Sequence, residues 1–278
     1  MSGCPAIERR GPMIAAALRR FLAARRRFVW EDHRVDGRRL RVRRSTVAPR
    51  EPRPIIVLLP GLALSGHYML PLGAELAERW PVLVPDLPGH LRSFSPRTAL
   101  DIPELADATA RWVRRRGLGP AVLVGNSMGC QVAVEVAARH PHQAARIVLE
   151  GPTVDPRARS FARQLGRVLL AGRREPMSLG PLQVADWITT GPRGVIGTVR
   201  HTLAHRVEDR LPEVRCPTLV VRGAHDPIVP QRWAQQVSAG VGRGSLITVP
   251  GASHALSYSH PRKLAAMVDG FVAGPDLT

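Results

Sequence analysis

The stretch LVGNSMGCQV, residues 123–132, decides the reading of this chain. Apolar residues lead into Gly125-Asn126-Ser127-Met128-Gly129, and a helical pattern starts at once behind them. Glycines two residues before and after a serine let a strand and a helix cross closely, on a turn that exposes the serine oxygen. The new helix turns its first N–H groups toward negative charge, which makes the Met128 N–H a natural oxyanion donor. Five residues alone arise by chance, and a serine at a strand-to-helix junction is often just polar. The surrounding chain has to separate a nucleophile from an ordinary residue.

Working outward, RPIIVLLPG (53–61), PVLVPDLPGH (81–90), PAVLVGNS (120–127), ARIVLEGP (145–152), CPTLVVRGAHD (216–226) and SLITVPGASH (245–254) are short apolar runs that end in turn residues. Such runs fit strands buried on both faces. Helical patterns separate them, among them DIPELADATARWVRRRG, GCQVAVEVAARHP and PQRWAQQVSAGVG. Strand–helix alternation with buried strands predicts an α/β fold: a mostly parallel central sheet with helices on both faces. Ahead of it, HRVDGRRLRV carries Asp36-Gly37 between alternating stretches and predicts a hairpin. Residues 153–212 break the alternation with short helical patterns punctuated by Pro and Gly, and predict an inserted helical cap or lid. The expected organisation is a basic helical extension over 1–27, a core formed by 28–152 and 213–278, and the cap over 153–212.

In open parallel sheets, ligands sit beyond the carboxyl ends of the strands. Ser127, Asp226 and His254 each follow such a strand. A serine hydroxyl needs a base to take its proton, and an imidazole needs a carboxylate to fix its tautomer. Asp226 also reads as a turn-forming Asp before Pro227, and His254 as one of ten histidines, in a surface loop. Three such residues at three strand ends, in the order Ser, Asp, His, favour chemistry over coincidence.

Over roughly residues 28–272 the chain resembles the α/β-hydrolase superfamily. PGLALSG is similar to the family's loop after its third strand, with Pro60 where His is usual. VPDLPGHLRS is similar to its D-x-P-G-x-G-x-S segment, with Leu91 where Gly is usual. The resemblance implies Ser127 as nucleophile, Asp226 as acid, His254 as base, and the backbone N–H groups of Leu62 and Met128 as oxyanion hole. Glu150 ends its own strand and is a rival acid, because some relatives carry the acid there. Aspartate nucleophiles serve dehalogenases and epoxide hydrolases of this fold, so a serine points to acyl transfer. An ester or lactone of a small, largely apolar substrate is the leading expectation, through an acyl-enzyme. GNSMG also resembles the elbow of the meta-cleavage-product hydrolases, which split C–C bonds of vinylogous diketo acids; those usually carry Trp where Ala255 stands. Thioesterase or acyltransferase activity, and ligand binding without turnover, also stay open. His67, Tyr68, Asn126, Glu150 and Trp187 are candidate pocket residues, and His90 reads as structural. Arg173, Arg174 and Arg193 are cap cations that could hold a substrate carboxylate, with nothing to select one. No metal or organic cofactor is implied.

The 278 residues carry a net charge of +18, which raises the question of nucleic acid. Yet all 40 basic residues except Lys263 are arginine, as in a GC-rich coding sequence, and no aromatic residues alternate with them to stack on bases. Residues 1–50 hold 14 arginines against four acids, so the excess concentrates there. The expectation is a small-molecule substrate, no nucleic acid, and at most a weak anionic-surface contact through the N-terminus. Cys4, Cys130 and Cys216 form no metal spacing and read as reduced thiols. No apolar run reaches the roughly 20 residues of a membrane span, and the N-terminus lacks the order of a secretory signal, so a cytoplasmic location is expected. Oligomeric state is not legible.

Overall fold

The computed structural model describes residues 10–46, 53–90, 93 and 99–274. Leu91 and Cys4 lie outside them. The chain opens with helix α1 (Arg10–Arg25) and the hairpin β1 (Phe28–Val35) and β2 (Arg38–Ser45). Asp36 and Gly37 turn it with φ of 51° and 75°, a conformation that suits a two-residue Asp-Gly loop. Next come β3 (Ile56–Leu59), a 3₁₀ turn (Gly66–Met69), α2 (Leu70–Leu76), β4 (Val82–Pro85), α3 (Ile102–Arg115), β5 (Ala121–Asn126), α4 (Met128–Arg139) and β6 (Ala144–Glu150). Helices α5 (Phe161–Gly172), α6 (Leu179–Ala204) and α7 (Val207–Arg210) form the insertion. The chain closes with β7 (Thr218–Gly223), α8 (Gln231–Gly240), β8 (Gly244–Val249), α9 (Leu256–Ser259) and α10 (Pro261–Ala273).

The eight strands form one sheet in the order β1-β2-β4-β3-β5-β6-β7-β8. Pairing is antiparallel from β1 to β2 and from β2 to β4, and parallel from β4 onward. Strands β3, β4, β5 and β7 are buried along their whole length, as their unbroken apolar runs require. One face carries α3, α4 and α8, with Trp112 and Trp233 at its centre. The other carries α1, α2, α9 and α10. A fully buried side chain such as Leu58 or Leu72 stabilises by about 2 kcal/mol, so two such layers suffice to hold the sheet between its helices. Helix α3 starts cleanly: Asp101 accepts the Glu104 N–H at 2.8 Å, and Glu104 accepts the Asp101 N–H at 2.9 Å.

Strand β8 departs from the expected doubly buried run. It is the last strand of the sheet, and Ile247 is 36% exposed. Helix α1 does not stand free of the core. Phe21 and Ala24 are buried, and the Phe21 ring lies 6.1 Å from the Tyr258 ring. The helical patterns of residues 179–204 run as one element broken at Gly191 (φ 78°, ψ 158°), just before Pro192. Among the described residues no helix is long and apolar enough to cross a membrane.

The order places β4 on one side of β3 and β5 on the other, so the chain reverses direction across the sheet at β3 and β5. A crevice opens beyond the carboxyl ends of strands at such a reversal. Leu59 pairs with Gly125 there, which brings the loop after β3 beside Ser127.

Candidate active site

Ser127 sits between β5 and α4 with φ 56° and ψ −117°, a conformation that costs a non-glycine residue roughly 1–2 kcal/mol. The strain persists because its surroundings permit nothing else. The Ser127 N–H donates to the Glu150 carbonyl at 3.0 Å, and the Ser127 carbonyl accepts from Cys130 N at 3.0 Å. A Cβ on Gly129 would lie 2.1 Å from the Leu59 carbonyl oxygen, and one on Gly125 2.4 Å from the Gly129 carbonyl oxygen. Only glycine at both positions lets β3, β5 and α4 approach this closely.

His254 follows β8, and its Nδ1 lies 2.8 Å from Asp226 Oδ2. Asp226 Oδ1 accepts the N–H groups of Ile228 and Val229 at 2.8 and 3.1 Å, which fixes the buried carboxylate from behind. Burial opposes a charged imidazole, but the charge and hydrogen bond of Asp226 outweigh it, helped by Glu175 and Glu150. The His254 pKa is thereby raised to about 8. Gly151, with φ +59°, packs under this ring: a Cβ there would lie 2.9 Å from His254 Cε1 and Nδ1.

Glu150 has no such geometry. It is the last residue of β6, and the two-residue alternation of a strand sends its side chain away from the crevice. Its Oε1 accepts from Ser257 N and Oγ at 2.9 and 3.2 Å. Full burial raises its pKa to about 7, against the hydrogen bonds from Ser257 and the pull of His254. The carboxylate on His254 Nδ1 is therefore Asp226, and Glu150 does not line the pocket expected to include it.

The loop after β3 is anchored by Tyr68. Its hydroxyl accepts the Gly61 N–H at 2.7 Å and donates to Asn126 Oδ1 at 2.8 Å. The loop turns through Ala63 at φ 51°, and the Leu62 N–H has no acceptor among the described residues. Met128 opens α4, where the first N–H groups lack intrahelical partners. These two N–H groups are the pair expected from the sequence.

A cavity of about 340 Å³ joins these parts. Ser127, Asn126 and His254 line it together with Gly61, Leu62 and Tyr68. The insertion supplies the opposite wall through Phe161, Leu165, Val168, Trp187, Val195 and Val199. Among the described residues no Arg, Lys, Asp or Glu lines it, and that includes Arg173, Arg174 and Arg193. His67 is not part of it either. Successive side chains of a 3₁₀ turn point about a third of a turn apart. Tyr68 faces inward, and His67 faces a separate groove, edge-on to Trp30 at 5.6 Å. His90 is buried with Nδ1 3.3 Å from the Leu87 carbonyl oxygen, and burial lowers its pKa to about 4.

Sequence reasoning missed three contributors. Gly151 follows a strand end directly, a position where glycine hints at close approach. Asp186 accepts from Ser65 N and Oγ at 2.8 and 2.7 Å and so ties the insertion to the loop after β3. Glu175 accepts the backbone N–H groups of His254 and Ala255 at 2.7 and 2.9 Å. Its one sequence signal is isolation: no other acid occurs between Asp155 and Asp186.

The profile of the Alpha/beta hydrolase family matches residues 56–267, so the chain belongs to the α/β-hydrolase family and is an enzyme of that family. It is 25% identical over 265 residues to RutD of Caulobacter vibrioides, a protein to which carbamate hydrolysis is ascribed, covering 86% of this chain and 97% of that one. It is 28% identical over 253 residues to the pimeloyl-[acyl-carrier protein] methyl ester esterase of Neisseria meningitidis, covering 79% and 93%. Among solved structures, the enol-lactonase of Burkholderia xenovorans superposes with a TM-score of 0.72 at 22% identity, over 88% of this chain and all of the other.

Proposed function

We propose that the chain is a serine hydrolase that cleaves an ester or lactone of a small, uncharged, largely apolar acyl group. One observation carries this: a strained serine and an Asp-bound histidine line the same apolar cavity. Ser127 attacks the carbonyl carbon while His254 takes its proton. Asp226 holds the imidazole with Nδ1 protonated and Nε2 free, and offsets the positive charge that forms. The oxyanion draws on the Leu62 and Met128 N–H groups, inside a site poor in water, where such donors act strongly. His254 returns the proton to the leaving alcohol. Water, deprotonated by the same base, then releases the acid from Ser127. The apolar wall of the cap selects the acyl chain.

The absence of any charged wall residue other than His254, among the described residues, argues against a substrate with its own carboxylate. It therefore disfavours C–C cleavage of diketo acids. The names of the relatives, which concern an ester, a carbamate and a lactone, support acyl transfer. The test is intact mass after exposure to a fluorophosphonate. Wild type should gain one adduct and Ser127→Ala none; wild type without an adduct on folded protein defeats the reading. An ester series of increasing acyl length then defines the substrate.

A further inference from the structure

His254 is held from two directions. Asp226, at the end of β7, binds its ring. Glu175, in the bend between α5 and α6, binds its backbone. The two residues of that second bond are 79 positions apart, and Glu175 is itself fixed, since its N–H donates to the Ala171 carbonyl at 3.1 Å. One carboxylate oxygen, Oε1, receives both the His254 and the Ala255 N–H. Charge-assisted bonds of this kind are stronger than neutral ones and strict in direction. The insertion also grips the other half of the site: Asp186 binds Ser65, and Trp187 Nε1 donates to the Leu62 carbonyl at 3.4 Å. The cap thus reaches the histidine loop and the oxyanion loop at once.

We propose that Glu175 is a positioning residue that makes the cap part of the catalytic machinery, setting the His254 backbone in place only while the cap is docked. The proposal rests on the serine-hydrolase reading above. An acceptor alone would fix the loop, and its charge does a second thing. The groups with charge that act on His254 are Asp226 from the loop after β7, Glu150 from the end of β6, and Glu175 from the cap. All three favour the imidazolium. A docked cap therefore holds the base and also raises its affinity for a proton. A withdrawn cap would relinquish both the place and the charge.

Two variants separate these effects. Glu175→Gln keeps an oxygen at the same reach and loses the charge, while Glu175→Ala loses both. The readouts are the pH profile of kcat/KM on a soluble short-chain ester and the NMR titration of the His254 imidazole. Glu175→Gln should lower both apparent pKa values by about 0.5 or more and keep the high-pH kcat within about threefold of wild type. Glu175→Ala should lower high-pH kcat at least about tenfold with KM changed less than about threefold, and shift the His254 and Ala255 amide resonances upfield. Wild-type plateau and titration in both variants would overturn the proposal. So would equal damage in both with an unshifted imidazole, which would leave Glu175 a structural tie only. If Glu175→Ala does not fold, the Glu175→Gln titration decides. The imidazole titration needs no turnover, so it stands even if fluorophosphonate labelling of Ser127 fails and the proposed function falls.

Discussion

The sheet and the cap meet at one cavity but are built on opposite terms. Strands β3, β5 and β7 are sealed on both faces, and each ends in a loop that delivers part of the site: Gly61 and Leu62, Ser127, and Asp226. The cap leaves Phe161, Leu169 and Ile188 exposed at 61, 64 and 76%. It joins the core through a few directed bonds, from Asp186, Trp187 and Glu175. A close-packed sheet cannot shift a strand end without breaking many contacts at once, whereas a wall held by three polar ties can be remodelled around its ligand. The comparison teaches a division of labour: the sheet fixes where the bond breaks, and the cap fixes what is brought there.

The largest effect expected is on the sheet side. Ser127→Ala should lower kcat/KM by roughly 10⁴-fold or more, with the fold retained by circular dichroism. Next, Asp226→Asn should cost about 10³–10⁴-fold, because an amide no longer enforces the productive tautomer. Glu150→Gln should retain most turnover, since the Glu150 carboxyl faces Ser257 rather than His254 Nδ1. The opposite ranking would transfer the acid to β6. Gly151→Ala should follow at about 10–100-fold in kcat. Its Cβ would press on the imidazole at 2.9 Å, and φ +59° is unfavourable for alanine. A Gly151→Ala enzyme with wild-type kcat would show that the ring has room to move.

Most of the sheet was legible because buried parallel strands write themselves as unbroken apolar runs. PIIVLLPG and PAVLVGNS leave little else to be. The triad residues were legible for a related reason: each follows one of those runs, so locating the strand located the residue. Legibility failed where a role depends on direction or on distant contact. His67 and Tyr68 are neighbours on one 3₁₀ turn, and only the turn's geometry sends one outward and the other to Asn126. Glu150 and Gly151 likewise share a strand end, but the glycine, not the carboxylate, lies beneath the histidine ring. Glu175 and Asp186 act across 79 and 121 residues. No local pattern records such a pairing. The edge position of β8 was hidden too, since a half-exposed strand with Leu246, Ile247 and Val249 still reads as apolar.

The pH profile sets the two regions against each other at moderate amplitude. The base works only when neutral, and His254 has its pKa raised to about 8 in spite of burial, by Asp226 with Glu175 and Glu150. Below that value the site holds an imidazolium that cannot accept the serine proton. From pH 7 to pH 9, kcat/KM should therefore climb about tenfold and then level off. A limb near pH 6.5 would mean that the buried carboxyls lend the imidazole no net support.

The smallest effect belongs to the cap wall, and it is the one that tests the division of labour. Trp187 fills part of the cavity and donates to the Leu62 carbonyl at 3.4 Å. Trp187→Phe keeps most of the apolar surface and loses only that long bond, so short-ester kcat should stay within about threefold. Val168→Trp adds bulk to the wall that faces Ser127 across the cavity. It should move the preferred acyl length down by a few carbons, while the fluorophosphonate labelling rate of Ser127 changes little. Each methylene excluded from an apolar pocket forfeits about 0.8 kcal/mol, or roughly fourfold in kcat/KM, so even a two-carbon shift is measurable across an ester series. If Val168→Trp lowered kcat equally for every chain length, the cap would be acting on the reacting groups themselves and not on selection alone. The separation between a sheet that performs the chemistry and a cap that chooses the substrate would then fail at that wall.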